Sequence, residues 1–406
     1  MNKFTTIAAA LLLSTSFCSV SQAQTVTNIT SDTTAHLGWA SLDPSGSSYT
    51  VSKGATLTGL SGQGQYKTNP TSDQQLFPEI PGVDEATVIS HFDGSANNGA
   101  VSLGDKSTLT VDGKITEDAK AWADRGLWSE IERDGSAGPN AYANAVDAGS
   151  DNVITVSRTG TVVTSGANGA EAINLIGTNN VVDNSGLIHA DDYSASKWNT
   201  DGTPNEGAAA IWLQNRSGSN TIINRAGAEI STDAKGPGSW SGISIGQQQG
   251  GAADITNQGT ILGFIKLQDG NDRVEVDNGS VYGDNAGGKV LDGQGGTNKF
   301  VFGGETGVDD ASQYDLRNWQ SVDKNGAGTW VASKDLLVST DSADTDPKTG
   351  RELSGDAMAS DWTVNGGKLV LLTDNTGFSA TKSTMTVAEN GTLALGDGSS
   401  AYGSLS

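Results

Sequence analysis

Between residues 101 and 281 the apolar and polar positions recur as one unit. An apolar-x-apolar strand is followed by a short polar turn, a second alternating strand, and then Gly-x-(Ile/Val). Clear copies are Ala172-Ile173-Asn174-Leu175 leading to Gly186-Leu187-Ile188, and Ala210-Ile211-Trp212-Leu213 leading to Gly227-Ala228-Glu229-Ile230. Two more begin at Ile243 and Ile265 and close at Ile261 and Val281; looser copies run from Val101 to Ile115 and from Val146 to Val162. The span from first strand to closing residue is 14 to 19 residues. Alternation with period two predicts strands, and nothing between them has helical periodicity.

So short a unit cannot bury its own apolar face, so neighbouring units must stack. The predicted fold is all-β, a right-handed parallel β-helix of the pectin-lyase-like kind, with each unit forming one coil and strands pairing with the coils above and below. A β-sandwich or an up-and-down barrel also has many short strands and is the alternative. Asn184, Asn257 and Asn278 stand at Gly-containing turns, where stacked asparagines can hydrogen-bond along the axis. The pattern divides the chain into a leader, 1–23; an N-terminal cap with irregular coils, 24–100; and regular coils, 101–303, with insertions 116–145 and 189–210. An irregular segment with an exposed loop, 304–361, and further strand repeats, 362–406, complete it, with no closing element before Ser406.

Lys3, the apolar run Ile7–Leu13 and the small residues of Ser21-Gln22-Ala23 predict a signal peptide cut after Ala23. The sole cysteine, Cys18, lies inside it, so the exported chain has none and must rely on burial and backbone pairing. No other apolar run is long enough for a membrane helix. The chain of 406 residues has 24 Lys and Arg against 47 Asp and Glu, a net charge of −23. That excess of acid repels phosphate, which argues against nucleic-acid partners and anionic lipid surfaces. Glycine, at 54 residues, is nearly twice as frequent as usual, which suits a chain with many tight corners.

Between each closing Gly-x-(Ile/Val) and the next coil lie 30, 10, 22, 12 and 3 residues, so one corner of the solenoid takes every long insertion. Insertions on one face mark the binding side of many repeat proteins. These insertions carry Trp122, Trp128, Tyr142, Tyr193, Trp198 and Trp240, and Trp212 is expected to point outward beside the same corner. The seven aromatics are the candidate ligand-binding residues; the competing reading is that they fix the loops to the solenoid flank.

Catalysis would need paired carboxylates. Glu117, Asp118, Glu130, Glu132, Asp134, Asp191, Asp192, Asp201 and Glu206 are available nearby, but acids in solvated loops of an acidic protein usually serve solubility. His36, His91 and His189 lack the sequence neighbours of a serine-protease triad, and no Cys or His spacing points to a transition metal. Gln268–Val274 resembles half of a glycine- and aspartate-rich calcium repeat and is read as a turn. No cofactor is expected.

Asp315-Leu316-Arg317-Asn318-Trp319-Gln320-Ser321-Val322-Asp323-Lys324-Asn325-Gly326-Ala327-Gly328-Thr329-Trp330 resembles the fexLxKxGxGTW stretch of bacterial autotransporter passenger domains. Val364–Leu369 and Val387–Leu393 resemble the strand repeats that trail it, and the leader and coils are similar too. The resemblance implies a type V secretion passenger truncated ahead of its outer-membrane barrel. It also implies export through the periplasm to the cell surface or beyond, with the outer-membrane translocation machinery as a partner. The expected function is a non-enzymatic adhesin for a host glycan or matrix protein, or for a neighbouring bacterial cell. A polysaccharide lyase or glycoside hydrolase, and a structural spacer, are the alternatives.

Overall fold

The computed structural model describes residues 26–34, 46–59, 100–118, 144–166, 171–192, 209–233, 243–283, 289–345, 352–372 and 381–396. These residues form strands that repeat in threes. Val146–Ala148, Val153–Val156 and Thr161–Gly166 make one turn of the chain, and Glu171–Leu175 begins the next directly against Val146–Ala148. The closing Gly-x-(Ile/Val) of each unit is therefore a third strand.

Stacking the turns produces a first sheet of twelve strands, Val26–Ile29 to Thr384–Val387; a second of eight, Thr33–Thr34 to Val281–Gly283; and a third of ten, starting at Val101–Leu103. A fourth sheet of four strands starts at Val308–Asp310. Strand pairs are parallel throughout the coils. The antiparallel pair is a hairpin, Val338–Thr345 with Glu352–Ala357, which ends the third sheet.

Each sheet turns one row of side chains inward, and register places like on like. In the third sheet the row is Val101, Val146, Ile173, Ile211, Ile245 and Ile265; in the second it is Leu57, Ile115, Val162, Ile188, Ile230, Ile261 and Tyr282. All are buried. Each such side chain contributes roughly 1.5–3 kcal/mol relative to leaving it in water. The third sheet also turns Ala172, Ala210 and Ser244 away from solvent beside their branched neighbours, which a strict alternation does not predict.

Two corners are held by ladders of buried polar side chains. Between the first and second sheets, Asn184 Nδ2 donates to Asn224 Oδ1 and Asn224 Nδ2 to Asn257 Oδ1, both at 2.9 Å. Gly186, in the turn after Asn184, leaves the space the corner needs: a Cβ there would stand 2.3 Å from the Gly160 carbonyl oxygen. Asn278, expected in this ladder, is outside it. Val276 takes the register position after Asn257, and Asn278 donates across to the Thr329 carbonyl at 2.9 Å.

At the corner between the third and first sheets the side chains of one coil accept the backbone N–H of the coil before. Asn152 accepts from Ser107, Asn180 from Asn152, and Asn220 from Asn180. Further along, Asp272 accepts from Ala253, Asn298 from Asp272, and Gln320 from Asn298.

From Tyr282 onward the interior becomes aromatic. Phe302 meets Phe300 edge to face at 4.8 Å and Trp330 at 4.7 Å, while Trp319 lies 5.5 Å from Phe300. Trp319 and Trp330 are fully buried, and their indole N–H groups donate to the carbonyls of Leu291 and Gly303, both at 2.8 Å.

Candidate functional site

Turns from the third sheet to the first and from the first to the second are a few residues long, as at Gly104–Ser107 and Asp112–Gly113. The longest connections run from the second sheet to the third, from Thr58 to Val101, from Asp118 to Val146 and from Asp192 to Ala209, with a shorter one from Asp233 to Ile243; the chain also travels from the second sheet to the first between Thr34 and Ser48 and from the fourth to the first between Leu371 and Thr384. Trp122, Trp128, Tyr142, Tyr193, Trp198 and Trp240 belong to these connections and lie outside the described residues. So do Glu130, Glu132, Asp134, Asp201, Glu206, His36 and His91.

Trp212 is described. Its neighbours Ile211 and Leu213 face the core, and its indole lies on the outer face of the third sheet. It is only 5% exposed, packed with Ala209, Ile243 and Phe264. The next coil presents Gly246 opposite it, and a Cβ there would come within 2.1 Å of the indole ring. We expect Gly246→Ala to displace the indole, shifting the Trp212 fluorescence and costing about 1–3 kcal/mol.

The same outer row runs Ser102, Asp147, Asn174, Trp212. Asp147 Oδ1 accepts from the side-chain amides of Asn144 and Asn174, both at 2.9 Å, and Asp147, Asn174 and Glu171 are buried. The strands Glu171–Leu175, Ala209–Leu213 and Ile243–Gln247 are thus buried on both faces. A carboxylate, a carboxamide and an indole thus lie in line along the axis beneath the surface, where they tie neighbouring coils together.

Farther along, the row becomes charged: Lys266, Asp292, Arg317. Arg317 donates to Asp315 Oδ2 at 2.6 Å and lies 3.7 Å from Asp341. Asn318 Nδ2 bridges Asp292 at 2.8 Å and Asp341 at 2.7 Å. Burial lowers the Arg317 pKa, and the hydrogen bond to Asp315 with the charges of Asp315, Asp341 and Asp292 outweighs it, so the guanidinium stays firmly charged.

On the outer face of the second sheet, register sets His189 against Ser231, 42 residues later. The pairing is invisible in sequence without knowing which rungs touch. Ser231 Oγ donates to Glu229 Oε1 at 2.6 Å, so the His189 Nδ1–H, 2.9 Å away, donates to Ser231. In a hydrolytic triad the serine proton faces the histidine. Here it faces the carboxylate, and Ser231 is 4% exposed. Glu117 is fully buried, with its carboxylate where a Cβ on Gly59 would be, and so is turned into the wall. Among the described residues no group of three or more His, Cys, Asp or Glu side chains is placed to hold a metal ion, and no helix is long and apolar enough to cross a membrane. No protein-family model, curated protein or solved structure matches this chain.

Proposed function

We propose that the chain is the surface-displayed passenger of an autotransporter, a right-handed pectin-lyase-like solenoid acting as a non-enzymatic adhesin. The observation that carries the reading is that the three longest connections between described strands, from Thr58 to Val101, from Asp118 to Val146 and from Asp192 to Ala209, all leave one corner, between the second and third sheets. A rod with its variable segments along one edge presents them to a large partner at once, as solenoids do on their binding side. The chemistry fits a neutral or hydroxyl-rich partner. Trp122, Trp128, Tyr142, Tyr193, Trp198 and Trp240 lie on the connections that follow Asp118, Asp192 and Asp233. A host-surface glycan is the partner class favoured, ahead of a matrix protein or the surface of a neighbouring bacterium. The leader and the cysteine-free mature chain support passage through the periplasm to the cell surface.

Simultaneous Trp122→Ala, Trp198→Ala and Trp240→Ala substitutions test this. Adherence of cells displaying the protein is expected to fall at least about tenfold, the loss of some 1.4 kcal/mol or more of binding. Unchanged adherence with normal surface display would remove the loop-adhesin reading.

A further inference from the structure

The corner ladder between the third and first sheets has one ionisable rung. Asn152, Asn180, Asn220 and Asn298 each use the side-chain oxygen to accept a backbone N–H of the coil before. Their other terminal atom is an NH₂ donor: Asn220 Nδ2 donates to the Gly177 carbonyl at 3.0 Å, and Asn298 Nδ2 donates to the Gly295 carbonyl at 3.0 Å. Asp272 occupies the same position. Its Oδ1 accepts from Ala253 N–H at 2.7 Å, and its own N–H donates to Asn298 at 2.9 Å. Where the asparagines carry a donor, Asp272 has Oδ2, which is buried and without a hydrogen-bond partner, and the residue is 1% exposed.

Every rung thus uses an acceptor, and the Asn180, Asn220 and Asn298 rungs use a donor as well, while Asn152 Nδ2 is buried without a partner; a rung of this kind is uncharged, and an aspartate matches it only when protonated. We propose that Asp272 is a proton-operated lock in the solenoid wall. Protonated, it is neutral like the asparagines of the other rungs and keeps its bond from Ala253; ionised, it leaves an uncompensated charge inside the corner and loosens the coils from Ile243 to Gly303.

Charged groups on the elements packed against it do not offset that charge. The turn of the coil before, Gly250–Ala253, and the turn after, Gly295–Asn298, carry none. Asp269 shares its turn and is itself an acid. On the adjoining strands Arg273 is engaged by Asp254 and Glu275, and Lys299 by Asp323. Burial accordingly lifts the Asp272 pKa to about 7, against the opposing hydrogen bond from Ala253. A group whose folded pKa is raised stabilises the fold below its unfolded value, near 4, and loses that contribution as pH climbs through the folded value.

The test compares the full-length protein with Asp272→Asn by native-state hydrogen exchange in strands Ile243–Gln247, Arg273–Asp277 and Lys299–Gly303. Between pH 5 and pH 8 the opening constant of the wild type, divided by that of the variant, is expected to rise about 100-fold. A ratio that stays constant overturns the proposal. Should the variant fail to fold, a carbon-13 carboxyl titration of the wild type decides: a midpoint for Asp272 near neutrality supports the lock, and one below pH 5 overturns it.

Discussion

Truncating Trp330 to alanine is expected to destabilise the C-terminal coils by about 3–5 kcal/mol, the usual range for removing a large buried aromatic. The indole is fully buried, 4.7 Å from the Phe302 ring and 6.0 Å from Tyr314, so its removal strips contact from two rings as well as leaving a void. Its N–H also serves the Gly303 carbonyl, and a buried acceptor without its donor adds a penalty of about 1–3 kcal/mol. Trp330→Phe separates the two contributions, since it keeps most of the ring volume and loses only the donor; a cost of about 1–2 kcal/mol is expected. In a solenoid each coil touches only its neighbours, so the damage should stay local. Amide exchange in Lys299–Gly303, Thr329–Ala332 and Gly367–Leu371 should accelerate roughly 100-fold or more, while Val153–Val156 stays protected. Equal acceleration at both ends, or a loss below about 1 kcal/mol, would show that the aromatic stack does not hold these coils together.

The inward rows were legible in the sequence because period two survives any uncertainty about which strand pairs with which: Ile173, Ile211, Ile245 and Ile265 identify themselves. Trp212 was legible only in part. Alternation puts it on the outer face, but its burial depends on Gly246 in the next coil, and a spacing rule along one strand contains no information about its neighbour. The same gap hid the contact of His189 with Ser231. Asn278 was misplaced in the ladder because its Asn-Gly turn looks like that after Asn257, while register hands the ladder position to Val276. Asp272 and Lys324 were missed for another reason. Charged residues ordinarily mark the surface, and only a hydrogen-bond inventory of the folded corner shows why two of them are inside.

Replacing Lys324 by alanine should cost about 3–5 kcal/mol, because its ammonium closes a corner that nothing else satisfies. Lys324 follows Asn184, Asn224, Asn257, Val276 and Phe302 in one inward row of the first sheet, and is 2% exposed. Its Nζ donates to the carbonyls of Asn325, of Gly326 at 2.9 Å and of Gly366 at 3.1 Å, tying its own turn to the turn of the next coil. Gly326 makes the approach possible, with φ at +69° and the Gly304 carbonyl 2.3 Å from where a Cβ would stand. The lysine, the glycines and Trp330 of the Asp315–Trp330 stretch are thus parts of one corner: a cap for its carbonyls, room for the chain to turn, and a plug for the interior. Lys324→Met preserves the aliphatic stem and removes only the donor, so it should recover the packing share of the loss and leave most of the remainder. Burial holds the ammonium pKa below the usual lysine value, against the opposing charge of Glu305. The folded state therefore gives up this proton before the unfolded chain does, and the wild type should gain stability relative to Lys324→Met as pH rises through the folded-state value. Chemical unfolding of the three proteins across alkaline pH checks both points; a methionine variant as stable as the wild type would show that the three carbonyls do not need their donor.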